Sequence, residues 1–135
     1  MVAKIPSIDT NVILALLLSE RETERAAVLK RLARHEQAAI ADLAITETVY
    51  VLEKSIGTSR DMVAQMLHSL LANQYLHFNR ALFERVMPYY LEHPAVSFND
   101  CCLAVYAKLN GTTPLLTFDR KLARQIPHVE LVTEK

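Results

Sequence analysis

Five short stretches rich in apolar residues, at 4–8, 37–41, 75–78, 114–118 and 129–132, recur along this chain with segments of helical length between them. A mostly apolar stretch of four or five residues is too short for a buried helix and suits a strand covered on both faces. The intervening segments carry apolar residues at helical spacing over 10–18, 22–35, 42–54, 59–72, 80–92, 99–109 and 120–125. Strands that alternate with helices are joined by crossovers, which make the sheet parallel and place helices on its faces. The pattern therefore predicts an α/β protein whose parallel sheet is covered on both sides.

Local signals agree with these boundaries. Ser59 is a good helix N-cap, Gly57 is a stop signal before it, and Asn110 and Gly111 close the helix that ends at Leu109. In 22–35 the periodicity puts Ala26, Leu29 and Ala33 inward and Arg25, Lys30, Arg31 and Arg34 largely outward. The length of 135 residues is that of one domain, so 1–135 is read as a single unit. Apolar residues at 51% with only 22% charged exclude a disordered or fibrous chain.

Lys plus Arg and Asp plus Glu are 15 each, so no global field steers the protein toward nucleic acid or membrane. Any binding of a polyanion must come from local patches or a bound cation. The cysteines, Cys101 and Cys102, are adjacent and cannot staple distant segments, which fits core residues in a reducing compartment. The apolar run 12–18 is far short of the roughly 20 residues that span a bilayer. Asp9 precedes it and no small-residue cleavage site follows, so it does not read as a signal peptide. The expected location is the cytoplasm, with no membrane association.

The chemistry lies in four acids. In open parallel sheets ligands collect beyond the carboxyl ends of the strands. Asp9 directly follows the first strand and Asp119 directly follows "LLTF" of the fourth. Asp100 lies in the first turn of its helix on a face continued by Leu103, Ala104 and Ala107, so it is expected inward or at the rim. Glu47 lies inside a helix on a stripe with Leu43, Tyr50 and Val51, which is unusual for an unpaired acid. Helix capping explains Asp9, Asp100 and Asp119 singly, and partial exposure or an Arg partner would explain Glu47.

Gathered carboxylates are another matter, because two unit charges about 4 Å apart repel by roughly 4 kcal/mol at an effective dielectric near 20. A hard divalent cation removes that penalty, and all-oxygen ligation suits Mg²⁺ or Mn²⁺. Zinc fits poorly, because His35, His68, His77, His93 and His128 have no ligand spacing. With Gly57 and Gly111 the only glycines, there is no P-loop, dinucleotide fingerprint or nucleophile elbow.

Four stretches, "IDTNVIL", "TETVYVLEK", "FNDCCLAVYAKLNG" and "LLTFDRKL", taken in this order from Ile5 to about Val132, resemble the PIN-domain ribonucleases. In size the chain is most similar to the VapC-type toxins of toxin–antitoxin pairs. The resemblance implies a three-layer α/β/α sandwich with a central parallel sheet of about five strands. It implies an Mg²⁺ or Mn²⁺ site made by Asp9, Glu47, Asp100 and Asp119, with Asn11 and Thr117 as polar companions that orient carboxylates or water. The implied reaction is hydrolysis of an RNA phosphodiester by water activated at the metal, leaving a 5′-phosphate and a 3′-hydroxyl. Lys121 departs from the pattern, standing where many relatives have a further acid or a neutral residue.

Arg120, Lys121 and Arg124, just beyond Asp119, are the best-placed cations for RNA backbone contacts. The resemblance also implies an RNA substrate such as tRNA or mRNA, a cognate antitoxin protein and a homodimer. A phosphohydrolase of the haloacid-dehalogenase type would need an acid where Asn11 stands, and a receiver domain would need one where Asn79 follows its strand. A PIN-like module that binds a partner without cutting RNA is the remaining alternative.

Overall fold

The computed structural model describes residues 5–34 and 37–134. Lys4 at the start of the first expected strand, and His35 at the end of the second expected helix, lie outside the described residues. The chain forms two compact units, residues 1–79 and 80–135.

In the first unit, residues 6–8 run extended. Ser7 pairs in parallel with Ala39, Ile8 N–H donates to Ala39 O at 2.9 Å, and Ala39 N–H donates to Pro6 O at 2.8 Å. Helix α1 (Thr10–Leu17) follows at once, then a 3₁₀ turn (Ser19–Arg21) and α2 (Glu22–Leu32). Strand β1 (Ala38–Ala39) pairs in parallel with β2 (Leu76–His77), in register Ala38 to Leu76 and Ala39 to His77. Between them lie α3 (Asp42–Tyr50) and α4 (Arg60–Ala72). The expected helix over 42–54 is α-helical only to Tyr50 and then widens into a π-helical turn, Val51–Ile56, which ends at Gly57 with φ of +80°. Ser59 caps α4 as expected, its Oγ accepting from Met62 N–H at 3.2 Å.

The core of this unit is set by the apolar faces of α1, α3 and α4: Ile13, Ile45, Val49, Leu52 and Val63 are each buried to 1% exposure or less. Thr48 is buried among them, and its hydroxyl donates to Ala44 O at 2.7 Å, so no polar group is stranded there. Helix α2 contributes no buried residue at all. Ala26, Leu29 and Ala33, read as inward from the periodicity, are exposed, and the half-buried side of α2 is Arg25, Val28 and Leu32.

That side carries its own apolar pair, Val28 and Leu32, in line at helical spacing with two arginines that reach α1. Arg25 Nη1 donates to Leu18 O and Arg21 Nη1 donates to Asn11 O, both at 3.3 Å. The Arg21 fork also holds Glu24, with Nε to Oε1 at 2.8 Å and a second bond from Nη2 to Oε2. That hydrogen bond, with the attraction between the two opposite charges, holds the Glu24 carboxyl below its ordinary value and the Arg21 guanidinium above its own.

In the second unit, α5 (Arg80–Glu92) packs on α6 (Phe98–Leu109). Strand β3 (Leu115–Thr117) pairs in parallel with β4 (Val129–Leu131) across the short helix α7 (Arg120–Gln125). Tyr90 is fully buried edge-on against Phe98 with centroids 5.2 Å apart, and Phe83 stacks on the same ring at 6.2 Å. Cys101 and Cys102 are both buried, as the sequence suggests. Gly111, at φ +66°, turns the chain out of α6 where a side chain would be strained. Among the described residues no helix is long and apolar enough to cross a membrane.

Two substitutions test this packing by urea unfolding. Tyr90→Ala should cost about 3–5 kcal/mol, the range for emptying a large aromatic site. Leu29→Ala, a core deletion if the helical periodicity is believed, should stay within about 0.5 kcal/mol because the side chain is 55% exposed.

Candidate active site

Parallel pairing of residues 6–8 with β1, and of β1 with β2, sends all three strands in one direction. The residues after them therefore share one edge. Asp9 is one of them: its backbone is extended (φ −95°, ψ 179°) and its Oδ1 accepts from Val12 N–H at 3.0 Å, capping α1. The capping explanation is thus correct for one oxygen. Among the described residues the other, Oδ2, has no protein partner and stands at an exposed position.

Asn11 is exposed in the first turn of α1. Its carbonyl receives Arg21, while its side-chain amide has no partner among the described residues, so helix-start hydrogen bonding does not account for it. A further acid, Asp42, opens α3 just after β1 on the same edge, half-buried, with Oδ2 accepting from Asn79 Nδ2 at 3.3 Å. It was missed from sequence although the criterion that singled out Asp9, an acid directly after a strand, would have found it.

Glu47 requires a correction. Its stripe is not a core stripe: Leu43 is 81% exposed, Tyr50 is 60% exposed, and Glu47 lies between them facing solvent. The buried side of α3 is Ile45, Thr48 and Val49. Two apolar neighbours made the wrong face look internal, and a buried threonine concealed the right one. Glu47 has no ion-pair or hydrogen-bond partner among the described residues, so exposure, and not an Arg partner, accounts for an acid at this position.

In the second unit Asp119 repeats the arrangement of Asp9. It follows β3, its Oδ1 accepts from Lys121 N–H at 2.9 Å and Leu122 N–H at 3.1 Å, and among the described residues Oδ2 has no partner. Thr117 orients it, since Thr117 Oγ1 accepts from Asp119 N–H at 2.9 Å. That contact is more than strand propensity, and it is made to the backbone of Asp119 and not to its carboxylate.

Asp100 is half-buried in α6, at the rim as expected, but it is not the cap. Ser97 is, with Oγ accepting from Asp100 N–H at 3.1 Å, so the Asp100 carboxylate is free of helix duty. Arg120, Lys121 and Arg124 are all exposed on α7, which Leu122 anchors to the interior.

The donor chemistry fits a hard cation. Asp9 and Asp119 each offer an oxygen not used in capping, and Glu47 and Asp100 offer whole carboxylates. All are hard oxygen donors of the kind that suits Mg²⁺ or Mn²⁺. The gathering itself is absent: among the described residues no three His, Cys, Asp or Glu side chains form a group able to hold an ion. Each unit positions two of the four acids.

Compared with known protein families, the chain matches the PIN domain over residues 7–126. No curated protein matches it.

The cap made by Asp119 has a measurable signature. Asparagine caps a helix about as well as aspartate, so Asp119→Asn should leave thermal and urea stability unchanged. Asp119→Ala should cost about 1 kcal/mol through the lost cap. Asp100→Asn should be neutral, and a loss above about 1 kcal/mol there would mean its carboxylate has a structural partner.

Proposed function

Because the chain belongs to the PIN domain family, a family of nucleases, we propose that it is an Mg²⁺- or Mn²⁺-dependent endoribonuclease and the toxin of a type II toxin–antitoxin pair of the VapC kind. The observation that carries the reading is the repeated junction at Asp9 and Asp119. Each is a strand-to-helix carboxylate with one oxygen held by helix N–H groups and the other free, inside the matched span.

Asp9, Asp100 and Asp119 would hold the ion, and Glu47 would bind it or orient the attacking water. A bound divalent ion would lower the pKa of water and neutralise charge on the phosphate. The protein's own part is positioning. Thr117 fixes the backbone of Asp119, Asn11 offers an unengaged amide beside Asp9, and Arg120, Lys121 and Arg124 supply local positive charge to a chain with no net charge.

The fold proposed for this chemistry is a single domain over 1–135, a three-layer α/β/α sandwich on a five-stranded parallel sheet, in which the strand ends share one edge. Closing four carboxylates together there would cost several kcal/mol by the Coulomb estimate above, and a divalent cation offsets it. The substrate would be tRNA or mRNA in the cytoplasm, and a homodimer and an antitoxin protein are the proposed partners.

A second reading is favoured by the absence of a gathered acid group among the described residues: a PIN-like module that binds a partner without cutting RNA. One experiment separates them. Purified protein should degrade single-stranded RNA with Mg²⁺ or Mn²⁺ and stop with EDTA. Asp9→Asn keeps the cap of α1 and should lose more than the roughly 10–100-fold typical of removing an outer-shell partner of a metal. Cleavage by the Asn variant at the wild-type rate would sink the enzymatic assignment.

A further inference from the structure

Phe118 is the residue directly before Asp119, and 75% of its surface is exposed. So large an aromatic in water contributes little to folding, and its place beside a proposed catalytic carboxylate asks for another use. Phe118 lines a groove of about 470 Å³ together with Arg120, Leu131, Val132, Thr133 and Glu134. The walls are tied by the β3–β4 ladder, whose last rung is Val132 N–H donating to Thr117 O at 2.7 Å. The groove is therefore attached to the same strand end that places Asp119.

Its lining matches one nucleotide. A nucleotide joins a flat, uncharged base to a phosphate, and here an aromatic face and a guanidinium lie two residues apart in sequence. Lys121 and Arg124 continue the positive charge along α7. Glu134 repels phosphate but accepts hydrogen bonds from base N–H groups, which keeps the groove for the base and leaves the phosphate to Arg120. The volume falls within the roughly 300–1,000 Å³ of small-molecule sites.

We infer that this groove is a base-stacking subsite. An unpaired nucleotide of the RNA lays its base on Phe118 and its phosphate on Arg120, the residues that flank Asp119 in the chain. The inference rests on the nuclease reading and adds to it the residue that holds an unpaired nucleotide, because duplex RNA keeps its bases stacked on each other and cannot offer a face to Phe118.

The test is fluorescence anisotropy with a labelled single-stranded oligoribonucleotide and its duplex, using the full chain in EDTA so that nothing is cleaved. Phe118→Ala should weaken single-strand binding about tenfold, the order expected for losing one stacked base. It should leave duplex binding unchanged, and Phe118→Tyr should bind like wild type. Phe118→Leu, apolar but without a π face, should behave like Ala, and Tyr106→Ala, an exposed aromatic on α6, should have no effect.

Unchanged single-strand binding in Phe118→Ala overturns the inference, and so does equal loss for both RNAs. Conversion of a dimer into a monomer by Phe118→Ala, seen by light scattering, also overturns it, since a second copy then covers the groove. Cleavage assays with Mg²⁺ keep the two readings apart. Phe118-dependent binding without cleavage removes the nuclease and keeps the groove, whereas cleavage with Phe118-independent binding does the reverse.

Discussion

A parallel strand that runs straight into a helix leaves backbone N–H groups at the helix start without partners, and a carboxylate at the junction is the shortest way to satisfy them. This chain does so after residues 6–8 with Asp9 and after β3 with Asp119. In both cases one oxygen makes the cap, and among the described residues the second has no partner. The cap therefore holds the carboxylate and still leaves it a hard oxygen donor. Thr117 strengthens the arrangement at Asp119 by accepting its backbone N–H.

The other two acids are placed by different means. Asp100 is released because Ser97 takes over the capping of α6, and it remains half-buried where an unpaired carboxylate is uncomfortable. Glu47 stands in solvent on α3 with no partner among the described residues. Neither helps hold the fold, which is what permits them another role. Positive charge is equally local: a chain of zero formal charge carries three exposed cations on α7, directly after Asp119. A phosphate drawn there would be drawn by proximity, not by a field of the whole molecule.

The amphipathic pattern was a good guide to which segments become helices and a poorer guide to which faces they bury. In α2 Ala26, Leu29 and Ala33 are exposed, and the half-buried side is a second apolar pair, Val28 and Leu32, in line with Arg21 and Arg25, whose guanidiniums bond carbonyls at both ends of α1. In α3 the exposed Leu43 and Tyr50 pointed to the wrong side, while Thr48, polar in sequence, is wholly buried because its hydroxyl returns to Ala44 O.

What the sequence determined by itself was local. It set the strand-like runs, the helices between them, the cap at Ser59, the turns at Gly57 and Gly111, and the position of Asp9 and Asp119 at strand ends. Each depends on a few neighbouring residues and on backbone sterics that allow little else. What only the tertiary structure decided was which face of each helix is buried, that Ser97 and not Asp100 caps α6, that α3 ends in a π turn, and that Phe118 stands open beside Asp119. Those outcomes depend on contacts between segments distant in sequence, or on closely matched local alternatives, and differences of a kilocalorie or so choose among them.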